Sequence, residues 1–378
     1  MRSQRTLTVA ALALVLHAAP FQAQKPEPPK PKSDISVEAK LVVVPASVRD
    51  KKNALVGSLK KEDFALQVDG KVQTIRYFDH DSDVPLTLGL LVDTSMSQRT
   101  VLDDERSASA KFLETMLAPN RDKAFIIQFA HQVELLQDVT DSKPKLQAAL
   151  KELDTSSPSF APSANGDDND RNDRSSRGGT ALYDSIFLAS DEVTAKQKGR
   201  RALVLLTDGV DRNSKESLTN SIESAQRADT IIYAIYYKGK EEQHDRGGYP
   251  GGRRGGGYPG GGYPGGGYPG GGYPGGGGGR GGGYPGGGRS NIDGKKTLER
   301  ICGETGGRVF EVKGKETVDA IYSQIAEELR AQYRLGFTPS TEAASDGYHQ
   351  IVLTLAGKEA KDKSTVQTRD GYYTGAAK

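Results

Sequence analysis

Tryptophan is absent from the 378 residues, cysteine occurs once, as Cys302, and aromatic residues reach only 7%. A single thiol permits no intramolecular disulfide, so packing, with a bound metal as a further source, must hold the fold. No apolar run approaches the ~20 residues of a membrane span, so none is expected in the mature chain. Also missing are a phosphate-binding Gly-rich loop, a Gly-x-Ser-x-Gly elbow and any recognisable arrangement of His80, His131, His244 and His349. Acidic residues are absent from 246–289, where 27 of the 46 glycines gather with Tyr, Pro and Arg alone. Removing the five arginines there, and Arg2 and Arg5 near the start, turns the net charge from +2 into −5 for the remaining body. An acidic body excludes a basic nucleic-acid-binding domain, and no nucleic-acid partner is expected.

What is present begins with an address. Arg2 and Arg5 precede an apolar run over 7–16, and the small residues Ala18, Ala19 and Ala23 follow. Residues 1–24 therefore read as a secretory signal peptide, giving a secreted or periplasmic protein. A Pro/Lys linker over 25–34 is expected to be extended.

Residues 35–84 read as a small β-unit. Val37, Ala39, Leu41 and Val43 alternate with outward neighbours, 64–68 and 72–78 read as strands, and Asp69-Gly70 signals a two-residue hairpin. From 85 to 332 the rhythm changes. Continuous apolar runs at 86–92, 124–129, 202–206 and 230–237 predict strands buried on both faces. Helices are predicted at 100–117, 143–153, 181–196, 215–227, 295–304 and 316–332, with a short strand at 308–312. Alternation of this kind predicts a doubly wound, mostly parallel α/β sheet. The tail, 333–378, returns to β, with strands expected at 333–337, 348–355 and 364–373. It should pack with the N-terminal β-unit as one sandwich-like domain built from both ends of the chain.

Three segments carry the chemistry. The first α/β strand ends in Asp93-Thr94-Ser95-Met96-Ser97, a polar loop ends in Gly178-Gly179-Thr180, and a later strand ends in Thr207-Asp208-Gly209-Val210-Asp211. Each lies at a strand end or a helix start, and functional groups in such sheets collect at the carboxyl ends of the strands. Together they offer the carboxylates of Asp93 and Asp208 and the hydroxyls of Ser95, Ser97 and Thr180. Hard oxygen donors suit Mg²⁺ first, with Mn²⁺ or Ca²⁺ as alternatives, and not Zn²⁺.

This set resembles the metal-ion-dependent adhesion site (MIDAS) of von Willebrand factor type A domains, and the likeness extends over about 85–332. The resemblance implies hydroxyl ligation by Ser95, Ser97 and Thr180, with Asp93 and Asp208 acting directly or through water. It also implies a protein partner that presents an Asp or Glu to the metal, as in adhesion. The flanking segments 332–337 and 369–373 more narrowly resemble the secreted von Willebrand A-related proteins of acidobacteria. A rival is a Mg²⁺-dependent phosphatase resembling the haloacid dehalogenases. Their Asp-x-Asp-x-Thr needs a second Asp as acid/base where Ser95 stands, so no enzyme is expected.

Two features read more blandly. The acidic stretch 166–173 lacks the Gly and Glu of a calcium loop and reads as a solvated loop beside Thr180. Asp211 reads as a helix cap before it reads as a sixth ligand. The repeat Tyr258-Pro259-Gly260-Gly261-Gly262 recurs from 263, 268 and 273 and has no aliphatic side chain with which to build a core. Residues 246–289 are expected to be a disordered insert, open to self-association or to contact with an envelope polymer through Tyr and Arg. A structural or matrix role through this repeat is the alternative to a metal-dependent binding role.

Overall fold

The computed structural model describes residues 41–80, 83–154, 179–238, 293–313, 317–339, 347–357 and 364–374. The expected signal peptide and Pro/Lys linker, the acidic stretch 166–173 and the Gly-rich insert 246–289 lie outside them.

The centre of the molecule is β5 (Leu86–Asp93), whose eight residues are all buried. A strand apolar on both faces must be covered on both, and its neighbours are parallel: β6 (Lys123–Phe129) on one side and β8 (Arg200–Thr207) on the other. Gly89 marks the closest packing, because a Cβ there would stand 2.3 Å from Phe125 Cζ and 2.5 Å from Leu203 Cδ2. β9 (Thr230–Tyr236) and β10 (Val309–Glu311) extend the sheet in parallel beyond β8, and β7 (Val133–Thr140) closes the opposite edge antiparallel to β6. The order is β10-β9-β8-β5-β6-β7.

Helices cover both faces. α1 (Leu102–Met116), α2 (Lys143–Glu152) and α6 (Val318–Arg330) pack on Leu88, Leu90, Val92, Val204 and Leu206. α3 (Leu182–Phe187), α4 (Leu218–Arg227) and α5 (Gly294–Thr305) pack on Leu91, Phe125, Ile127, Leu203 and Leu205. Each such fully buried side chain contributes roughly 1.5–3 kcal/mol. The single helix predicted over 181–196 changes type instead, passing from α3 into a π-helical turn at Leu188–Val193 and a 3₁₀ turn at Thr194–Lys196. α1 leaves the end of β5 for one face, and α4 follows β8 on the other. The carboxyl ends of β5 and β8 therefore flank the point where the winding reverses, the place where open α/β sheets form a crevice.

The chain ends build two four-stranded antiparallel sheets. One has the order β13-β1-β11-β4, from β13 (Thr365–Thr368), β1 (Val42–Arg49), β11 (Tyr333–Phe337) and β4 (Tyr77–Asp79). The other runs β14-β12-β2-β3, from β14 (Gly371–Thr374), β12 (Gly347–Leu355), β2 (Phe64–Val68) and β3 (Lys71–Gln73). Val44, Val48, Phe64, Leu66, Tyr333, Phe337 and Ile351 share one core between them. Asp69 and Gly70 form the expected turn, both with positive φ, and Val68 pairs with Lys71.

Three details differ from the sequence reading. The strands predicted at 72–78 and 364–373 are each broken in two. In both cases the chain turns a corner from one sheet into the other, which leaves apolar periodicity nearly unaltered. The inward residues of β1 are Val44, Ala46 and Val48, one position out of phase with the series through Val43, because three consecutive valines fit either face.

The sandwich is tied to the α/β layer by ion pairs. Glu328 of α6, fully buried, accepts from Arg49 at 2.5 Å and from Arg308 Nε at 2.9 Å. Arg369 donates to Asp229 at 2.7 Å and to the Val43 carbonyl at 2.8 Å. Asp229 immediately precedes β9, so this bond lies at the amino ends of the parallel strands, opposite the rim where Asp93 and Thr207 lie.

Candidate metal centre

Asp93 ends β5 and is completely buried. Its Oδ1 accepts the Ser95 N–H at 2.9 Å, and its Oδ2 accepts the Thr207 hydroxyl at 2.6 Å. Burial pushes its carboxyl up to about 7; hydrogen bonds from Ser95 and Thr207 oppose this, and the charge of Asp208 adds to it. A buried carboxylate beside a second one is electrostatically incomplete, and a cation is the partner that relieves both terms.

The Gln98 N–H donates to the Ser95 carbonyl at 2.9 Å, closing 95–98 into a tight turn in which the Ser95 and Ser97 hydroxyl oxygens lie 3.0 Å apart. In an octahedral shell with Mg²⁺–O bonds of about 2.0–2.1 Å, adjacent ligands lie about 2.8–3.0 Å apart. The serine pair thus matches one edge of such a shell. Ser97 is exposed and Ser95 half-buried, so these hydroxyls face outward with Asp93 behind them.

Thr180 reaches the same rim from the other side of the sheet. Its carbonyl accepts the N–H groups of Arg212 and Asn213 at 3.0 and 3.2 Å, just beyond the β8 loop, while the next residue, Ala181, donates to Ala130 at the end of β6. The Thr180 side-chain hydroxyl has no partner among the described residues. Asp208 Oδ1 accepts the Val210 N–H at 3.0 Å. Gly209 follows with φ +75, and a Cβ there would meet the Gly294 carbonyl at 2.3 Å, so the loop rests directly on the first turn of α5. The fold thus brings the segments of all five sequence-chosen residues to one rim. Their donors, three hydroxyls and two carboxylates, form a hard-oxygen set that fits a Mg²⁺-like dication.

Asp211 faces elsewhere. Its Oδ1 accepts the N–H groups of Leu182 and Tyr183 at 2.9 and 3.3 Å and the Ser214 hydroxyl at 2.5 Å, so it caps α3 and anchors the segment that bears Thr180.

Two residues escaped the sequence reading. Thr207, quoted only as part of its motif, holds Asp93. Glu105, in the first turn of α1, is fully buried with neither carboxylate oxygen hydrogen-bonded, and burial followed by the charges of Asp93 and Asp104 raises its pKa well above the ordinary value. Its apolar neighbours in the helix gave the only signal, since position 105 lies on the buried face with Leu102, Ser109 and Phe112. His349, unplaced by sequence, sits between Asp69 at 2.8 Å and Thr374 at 3.2 Å, where it joins the β2–β3 turn to β12 and β14.

A doubly wound sheet with a hydroxyl and carboxylate rim at its switch point places the six-stranded layer among the open α/β domains. Within it, residues 88–210 match the family model of the von Willebrand factor type A domain. No curated protein matches the chain in sequence. Among solved structures, a von Willebrand factor type A protein from Catenulispora acidiphila is similar at 10% identity, covering 84% of this chain and 75% of that one, with a TM-score of 0.42. An aerotolerance-related membrane protein from Bacteroides fragilis gives 15% identity, 65% and 98% coverage and a TM-score of 0.39. Proximal thread matrix protein 1 of the mussel byssus gives 17% identity, 42% and 38% coverage and a TM-score of 0.34. A further structure of that mussel protein has zinc in its MIDAS motif. The chain thus spans well under half of the mussel protein's length. The narrower acidobacterial likeness rests on the sequence alone. No helix among the described residues is long and apolar enough to cross a membrane.

Proposed function

We propose that this chain is an exported, non-catalytic binding module whose rim holds a divalent cation, Mg²⁺ first, for contact with an Asp or Glu of a protein partner. Ser95, Ser97 and Thr180 would hold the ion through hydroxyls, and Asp93 and Asp208 would balance its charge. The ion supplies a Lewis-acidic position at which an external carboxylate can bind. Neutral hydroxyls on the open side leave that position electrophilic, because the two carboxylates already match a charge of two. The observation that carries this reading is the Ser95–Ser97 pair, 3.0 Å apart and backed by the buried Asp93.

The same geometry favours binding over turnover. Asp93 is shielded from solvent, and each of its carboxylate oxygens already accepts a protein hydrogen bond, so it is not presented as a nucleophile. Titration calorimetry with Mg²⁺ or Mn²⁺ tests the reading directly. Wild type should bind one ion, and Ser95→Ala/Ser97→Ala should lose at least about tenfold in affinity. Equal binding by both, or phosphatase turnover that disappears in Asp93→Asn, would overturn it.

A second reading concerns the repeat. The described residues that bound it, Lys238 after β9 and Asp293 before α5, stand at the same carboxyl rim as the candidate site. Self-association through Tyr and Arg of 246–289 would be resistant to chelators and abolished by deleting the segment. Sedimentation of wild type and the deletion, each with and without EDTA, separates the two readings.

A further inference from the structure

Except for Arg76 in the sandwich, the described arginines away from the rim are committed to internal partners, such as Arg49 and Arg308 to Glu328 and Arg369 to Asp229. Arg99 and Arg212 are not. Both are exposed, and neither guanidinium has a hydrogen-bond or carboxylate partner among the described residues. Each belongs to one of the three loops that carry the candidate ligands. Arg99 lies two residues beyond Ser97, and its N–H donates to Met96. Arg212 lies four residues beyond Asp208, and its N–H donates to the Thr180 carbonyl at 3.0 Å. Between Ser95 and Ser97, Met96 is 55% exposed, an apolar side chain at the edge of a polar crevice.

Unpaired cations on the site's own loops do not favour a dication held alone, since like charges repel. It becomes favourable once anionic groups in excess of the ion's need arrive with a partner. A guanidinium binds carboxylate in a forked geometry, and an unpaired one at an interface gains from meeting it. Two isolated cations do not form the continuous basic stripe that tracks a polyanion backbone. Methionine adds an adaptable apolar contact, which a sugar or phosphate chain would leave unused.

We infer that Arg99, Arg212 and Met96 form a recognition surface around the metal site for an acidic protein segment: one carboxylate for the ion, further carboxylates for the two arginines and an apolar side chain against Met96. This rests on the metal-dependent binding proposed above, and it adds which partners the site selects.

The test uses the full chain and two capped peptides carrying a fluorophore. One has the core Gly-Glu-Leu-Glu-Glu-Gly, and the other, Gly-Gln-Leu-Glu-Gln-Gly, keeps a single carboxylate. With Mg²⁺ present, wild type should prefer the triacidic peptide by about tenfold or more. Arg99→Gln/Arg212→Gln, which disturbs no packed side chain, should lose that preference and its salt dependence, with Mg²⁺ affinity measured on the metal alone not reduced. Met96→Ser should weaken both peptides alike. No preference in wild type, or a preference kept by the double variant, overturns the inference. So does equally tight binding of a sulfated polysaccharide, which would assign the surface to a glycan. Normal Mg²⁺ binding with no peptide bound overturns the inference and leaves the ion site standing. Peptide preference that needs the arginines and persists in EDTA upholds the surface and removes the metal bridge.

Discussion

The Thr207 hydroxyl donates to Asp93 Oδ2 at 2.6 Å, joining the ends of two adjacent parallel strands across the centre of the sheet. Thr207 Oγ1 also accepts the Gly209 N–H at 3.1 Å, so one side chain fixes both the Asp93 carboxylate and the loop that bears Asp208. Thr207→Val keeps the shape and removes both bonds. It should lower Mg²⁺ affinity by about 10–100-fold, the usual effect of losing a group that orients a ligand. Thr207→Ser should restore most of it. Calorimetry on the three proteins decides the matter, and unchanged affinity in the valine variant would show that Asp93 is held without this bond.

Much of this rim was visible in the sequence for a physical reason. A strand buried on both faces cannot hide its identity among polar residues, so β5 and β8 were located by apolar runs alone, and their polar ends then had one place to be. Glu105 was hard to read because an acid in a helix normally marks the solvated face, although its spacing from Leu102, Ser109 and Phe112 puts it on the buried one. Glu328 was hidden in the same way in α6. The corners at 74–76 and 369–370 could not be read because alternation continues across a change of sheet: Lys71–Gln73 and Tyr77–Asp79 belong to different sheets. Asp211 was assigned its capping role correctly, but the helix it caps is α3, 29 residues earlier in the chain, which no local pattern reveals.

Glu105 makes stability depend on pH. Its folded pKa is raised by burial, so its contribution is complete below the unfolded value of about 4.3 and is lost as pH rises toward the folded value. Thermal midpoints of the metal-free protein should therefore fall as pH rises above about 4.3. Glu105→Leu removes a buried, unpaired carboxyl and should stabilise the fold at pH 8 by about 1–3 kcal/mol. It should also flatten the slope that remains after Asp93 is counted, because the pKa of Asp93 is raised in the same direction. A variant with wild-type slope and lower stability would mean that the carboxylate has partners in solution.

The junction between the two layers depends on Glu328. Ser47, Arg49 and Arg308 converge on its buried carboxylate. Glu328→Ala would leave two guanidiniums facing each other with no counter-charge, a loss of about 3–5 kcal/mol in denaturant unfolding. Combining it with Arg308→Met should recover part of the loss, since the pair shares one interaction and the costs cannot add. Metal affinity should be nearly unchanged in both, because these residues sit away from the carboxyl rim.

Asp211 offers the reverse case, where stability and binding should fall together. Its Oδ1 holds the first N–H groups of α3, and α3 begins two residues after Thr180. Asp211→Ala leaves those N–H groups without acceptors and should cost about 1–2 kcal/mol, the size of a lost helix cap. The Thr180 hydroxyl then loses a fixed position, so Mg²⁺ affinity should drop although Asp211 is not itself assigned as a ligand. Asp211→Asn separates the two roles: it keeps an oxygen for the N–H groups and discards the charge. If Asp211 acts only as the cap, the asparagine variant will bind Mg²⁺ nearly as wild type does and unfold at nearly the same denaturant concentration. Full stability with affinity as low as in the alanine variant would instead make Asp211 a member of the metal centre, adding a third carboxylate to a site built here from two.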